Sequence, residues 1–77
     1  MAIMNQYDVV RIKEIISLPS YEMDSFNQRA PQVGDIATIV EIYRDPCLAY
    51  DLECSDGDGI TIWLLAVTPD EMIFEVI

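Results

Sequence analysis

The chain has 77 residues, enough for a single domain (1–77) that would bury only about 60% of the surface its unfolded form exposes. A hydrophobic content of 52% offsets that handicap, since each fully buried large aliphatic side chain contributes roughly 1.5–3 kcal/mol against about 1–2 kcal/mol of backbone entropy per ordered residue. Fourteen acidic residues against four basic ones give a formal net charge of −10, and Arg11, Lys13, Arg29 and Arg44 are too few to neutralise a run of phosphates, which disfavours DNA, RNA and anionic membranes as direct partners.

A basic protein partner would be steered towards such a surface, although the same charge would also serve solubility alone. No apolar run approaches the roughly 20 residues of a membrane span, and the opening MAIMNQYDVV has neither a charged n-region nor a cleavage site. Cys47 and Cys54 lack CxxC spacing, and the chain has no histidine. A soluble cytoplasmic protein with two unpaired thiols is expected.

The first apolar block is Tyr7–Ile12. Val9, Ile12, Ile15 and Ile16 would also fit a helical stripe, but the β-branched residues and the nearby Pro19 favour a strand, with Val10 and Ile12 facing one way and Val9 and Arg11 the other. Residues 18–32 carry two prolines and no sustained period, and read as a long surface loop. Tyr21, Met23 and Phe26 would either give that loop a contact face or tuck under it as a satellite of the core.

Val33–Tyr43 (VGDIATIVEIY) starts with a turn signal and continues as a β-branched strand. Ile36, Thr38, Val40 and Ile42 share one parity and Ala37, Ile39, Glu41 and Tyr43 the other. Both faces are partly apolar, as a bent strand in a small barrel would be. Ala49–Cys54 alternates cleanly, with Tyr50, Leu52 and Cys54 inward and Asp51 and Glu53 outward. Ser55–Gly59 is a turn whose glycines tolerate positive φ, and Ile60–Val67 is the partner strand of a hairpin. Thr68, Pro69, Asp70 and Glu71 carry the N-cap, first-turn proline and early acids of a short helical turn. Met72–Ile77 forms the last strand.

That order predicts an all-β fold, a five-stranded SH3-like barrel with one short helical turn before the last strand; an OB-like barrel ranks second because it needs longer strands. The blocks YDVVRI, VGDIATIVEIY and AYDLECSDGDGITIWLLAVTPDEM also resemble, from Tyr7 to the end, a family of short bacterial proteins common in cyanobacteria, domain of unknown function four-nine-two-six. Its pattern is an initial DVV, a GD-x-GTVVE-(V/I)-Y strand, a (Y/F)-x-(V/L)-E-F strand with an acidic-glycine turn, and a final turn with an acid. This chain departs from it at Ala37, where a glycine is usual, and at Cys54, where an aromatic is common. The resemblance implies no established activity. The frequent placement of such genes beside ribonuclease-like toxin genes implies an antitoxin or immunity role.

Catalytic chemistry finds little support in the residues. Asp56 and Asp58 resemble the start of a calcium loop, but Ile60 and Val67 stand where ligands would be needed. The acids near Cys47 and Cys54 would disfavour a thiolate. No enzyme activity, cofactor or metal is expected.

The leading expectation is a binding module that neutralises a basic toxin-like nuclease. Asp45, Asp51, Glu53, Asp56 and Asp58 would pair with the cations that the nuclease uses for phosphate. Glu41, Tyr43 and Asp45 are expected at one end of the barrel beside these hairpin acids. Trp63 would be an exposed anchor if Ile60, Ile62 and Leu64 face inward, and core under the reverse parity. The alternative is a structural accessory domain docking through Tyr21, Tyr43, Tyr50 and Trp63, with nucleic-acid binding third. An exposed strand edge or the apolar IFEVI terminus leaves a homodimer open.

Overall fold

A computed structural model describes residues 4–18 and 27–77. Tyr21, Met23 and Phe26 lie outside the described residues, so neither reading of the loop's contact face is tested. Among the described residues there are five strands and no helix, hence none long and apolar enough to cross a membrane: β1 (Val9–Ile15), β2 (Ile36–Tyr43), β3 (Ala49–Ser55), β4 (Thr61–Val67) and β5 (Met72–Val76). All pairings are antiparallel, in one sheet of order β4-β3-β2-β1-β5.

Alternation sets the inner face. Val10 and Ile12 of β1, Ala37 and Ile39 of β2, and Tyr50, Leu52 and Cys54 of β3 are buried, as the period of two requires. Between Ile39 and Glu41 the β2–β3 register shifts by one residue, so that Ile39 lies opposite Leu52 and Ile42 opposite Tyr50. This bulge at Val40 is the reason β2 reads as apolar on both faces: its inward parity changes halfway along. A second shift between Cys54 and Ser55 places Cys54 opposite Trp63 and Ser55 opposite Thr61.

β4 settles the parity that its sequence left open. Trp63, Leu65 and Val67 are buried while Ile60 and Leu64 are exposed, so Trp63 is core and the outward orientation is not adopted. The strand is apolar on both sides, and only its register against β3 decides which side faces in.

Tyr50 of β3 and Phe74 of β5 meet edge to face, with centroids 5.5 Å apart and planes at 85°. Two strands separate β3 from β5 in the sheet, so this contact requires the sheet to curl over its own inner face. The curl does not become a closed barrel, because β4 and β5, the two ends of the sheet, share no strand pairing. β4's outer edge is partly covered by the end of the long loop: the Gln28 backbone N–H donates to the Ile62 carbonyl at 2.7 Å, and the Leu64 N–H donates to Asn27 Oδ1 at 3.1 Å.

The expected helical turn before β5 is instead a single tight turn. Glu71 N–H donates to the Thr68 carbonyl at 3.0 Å, and the Glu71 carboxylate accepts from the Thr68 N–H at 2.9 Å. These reciprocal bonds resemble a helix start, but β5 begins at Met72 and leaves no room for a second turn.

Candidate functional site

The carboxylates singled out in the sequence divide into two groups along β3. Tyr43 closes β2 opposite Ala49, and its hydroxyl donates to Asp51 Oδ2 at 2.7 Å. The Asp51 carboxylate holds the Tyr43 phenol above its ordinary value, because ionisation would set a phenolate against it. Asp45 follows Tyr43 in the exposed β2–β3 connection. Glu53 is half-buried farther along β3 and accepts from the Thr61 hydroxyl at 2.8 Å.

Asp56 and Asp58 occupy the β3–β4 turn at the opposite end of the strand. With β3 running from Ala49 to Ser55, at about 3.3 Å per residue, roughly 20 Å separates them from Tyr43. Antiparallel pairing therefore places Glu41, Tyr43 and Asp45 near Asp51 but away from the turn acids, correcting the expectation that they gather at one end. Asp56 is also committed locally: its Oδ1 accepts from the Asp58 N–H at 2.9 Å and the Ile60 N–H at 3.0 Å. Gly59 completes that turn at φ +82°, a conformation other residues adopt only with strain. Trp63 offers no surface, being fully buried. Among the described residues no three His, Cys, Asp or Glu side chains converge as a metal site would require.

The indole of Trp63 belongs instead to a polar cluster that the sequence did not reveal. Its Nε1–H donates to Asp35 Oδ2 at 2.9 Å, and Arg29 grips the same carboxylate with two bonds of 2.9 Å. The Gln32 backbone N–H donates a further bond at 2.9 Å. Burial alone would raise the Asp35 carboxyl, but Arg29, the Gln32 N–H and the Trp63 indole together outweigh it and leave the group below its ordinary value. The hydrogen bond to Asp35 correspondingly raises the Arg29 guanidinium. In the sequence Gly34-Asp35 reads only as a turn; the one available clue was that a buried indole N–H needs an acceptor. The neighbouring Cys54 thiol is pushed up by burial and then by the Asp35 charge, while Cys47 is exposed. The shift disfavours the Cys54 thiolate.

Three of the four basic side chains lie beside carboxylates of the same chain. Arg11 and Lys13 reach Glu75 at 3.3 and 3.7 Å, and Arg29 is held by Asp35. Arg11 and Lys13 remain on the surface beside the one carboxylate they share, while Glu14, Glu41, Asp45, Asp56, Asp58 and Asp70 are exposed.

The second surface feature is an open apolar groove of about 470 Å³. It is lined by the buried Tyr50, Met72 and Phe74, the exposed Leu48, Pro69 and Ile73, and Met4. Comparison of the chain with protein-family models, curated proteins and solved structures finds no match.

Proposed function

We propose that this chain is a small, non-enzymatic, acidic protein-binding module of the cytoplasm, its curled sheet an open variant of an SH3-like barrel, which neutralises a basic partner. The observation that carries this reading is the net charge of −10, with three of the four cations already beside carboxylates of the same chain. It leaves a surface on which a cation-rich protein would be attracted and a polyanion repelled. The most concrete partner is a toxin-like nuclease encoded nearby, an antitoxin-type role that rests on the family resemblance. In that role Asp45, Asp51 and Tyr43 would form one contact group and Asp58 another, on opposite ends of β3.

Co-expression with the neighbouring gene's product tests the proposal. A complex that weakens as ionic strength rises, together with rescue of growth, is the expected result; neither complex nor rescue would overturn it. The apolar groove favours a second reading, an accessory domain docking on a larger assembly, for which binding would vary little with salt.

A further inference from the structure

The groove does not lie on a face of the sheet. Met72, Ile73 and Phe74 all border it, and consecutive residues of a strand point to opposite faces, so an opening that meets all three must run along the strand's edge. Among the described residues β5 is a terminal strand whose only neighbour is β1, which places the groove on the side of β5 away from β1. The other terminal strand, β4, is partly covered by Asn27 and Gln28, so the two ends of the sheet are not equivalent.

Natural sheets guard open edges with lysine, proline, bulges or a covering segment. β5 is MIFEV, with no lysine and no proline, and its single charge, Glu75, is drawn towards Arg11 and Lys13. Along its open side β5 has instead a ready wall of apolar side chains. Carboxylates adjoin the wall residues along the chain: Asp70 and Glu71 stand between Pro69 and Met72, and Asp45 lies three residues before Leu48. Asp70 is kept readily ionised by the Thr68 hydroxyl, which donates to it at 2.6 Å.

We propose that the open edge of β5 and its groove receive an extended segment of the basic partner as a sixth strand. Its backbone pairs with β5, alternate apolar side chains enter the groove, and the intervening Lys or Arg side chains face the adjoining carboxylates. Charge selects this occupant over a second copy of the chain, which would bring another −10 to the same edge. The inference rests on the acidic-module reading and gives that module a docking site.

The test uses the full isotopically labelled chain and a capped peptide of about seven residues, the length of an ordinary strand, alternating Lys with Val and Leu. A second peptide of the same sequence carries N-methyl groups on alternate backbone nitrogens, which preserve charge and side chains but remove pairing. Saturable NMR shifts at Met72–Val76, Leu48 and Tyr50 are expected, with slowed exchange of β5 amides. N-methylation should weaken binding by about tenfold or more, as the loss of one or two backbone hydrogen bonds implies. Leu48→Ser, at an exposed position, should weaken it severalfold while the Trp63 indole N–H resonance stays in place as a sign of intact folding.

Equal binding of both peptides, with shifts scattered over the acids and no protection of β5, would overturn the edge site and leave the acidic-module reading standing. Absence of binding by either peptide at low salt would count against both. Protection of β5 that depends on protein concentration, without peptide, would overturn the assigned occupant in favour of a homodimer.

Discussion

Trp63 and Asp35, 28 positions apart in the chain, are joined by a 2.9 Å bond from the indole Nε1–H to Oδ2. The bond ties the centre of the core to the loop that enters β2, and Arg29 completes the tie from the other side. Replacing Trp63 with Phe keeps most of the apolar volume but removes the donor, and should cost about 1–2 kcal/mol. Asp35→Ala strands both the indole N–H and Arg29. A fully buried pair would lose about 3–5 kcal/mol, but the Arg29 side chain is 37% exposed and solvent screening brings the expected loss to about 2–3 kcal/mol. In a domain of this size each kcal/mol moves Tm by about 4–8 °C, so thermal denaturation distinguishes the variants.

The same carboxylate sets part of the acid limb of stability. Asp35 titrates below its ordinary value of 3.8 in the folded state, so its contribution is complete above that value and is lost as pH falls through the lower, folded one. Asp35→Asn should therefore differ from the parent by a constant amount near neutrality, and the gap should narrow below about pH 4 as the parent protonates. A gap that stays constant down to strong acid would contradict the assignment.

Asp56 gives a second, local test. Its Oδ1 holds the N–H groups of Asp58 and Ile60, and this fixes the reversal between β3 and β4. Asp56→Ala removes both bonds and should cost about 1–2 kcal/mol. Asp56→Asn keeps an acceptor oxygen in place and should be nearly neutral, as at other sites where Asn and Asp serve the same turn. Urea denaturation of the two variants separates a turn-forming role from a purely electrostatic one: if Asn is as damaging as Ala, charge and not hydrogen bonding is the cause.

Much of the fold is legible where one face of a strand is polar. In β3 the alternation of Tyr50, Leu52 and Cys54 with Asp51 and Glu53 names the inner face directly. β4 could not be read in the same way, because Ile62, Trp63, Leu64 and Leu65 are apolar on both sides and the choice is made by pairing with β3. Thr68-Pro69-Asp70-Glu71 carries sound helix-start chemistry, and the Thr68–Glu71 bonds that chemistry implies are present; what local signals do not encode is that β5 claims Met72 at once. The candidate acids were legible as exposed charge but not as a site, since only the antiparallel course of β3 separates Asp45 and Tyr43 from Asp56 and Asp58. The groove along β5 arises from curling of the sheet, which brings Tyr50 against Phe74, and no spacing in the sequence reports it.

Tyr43 and Asp51 offer a spectroscopic handle on the anionic surface itself. The hydroxyl donates to the carboxylate at 2.7 Å, and the phenol is raised above its ordinary value of 10.0 by that hydrogen bond first and by the Asp51 charge second. A group raised in the folded state stabilises the fold below its ordinary value and loses that contribution as pH rises through the raised one. Asp51→Asn removes the charge, and the Tyr43 ring resonances should then titrate at lower pH than in the parent, with the other tyrosines unmoved. A cationic partner seated beside Asp51 should lower the Tyr43 titration in the same direction, because a Lys or Arg near the pair favours the phenolate. Titration of Tyr43 that is the same in free and bound protein would place the partner elsewhere, and binding confined to the β5 edge would be read from the unchanged Tyr43 signal together with protected β5 amides.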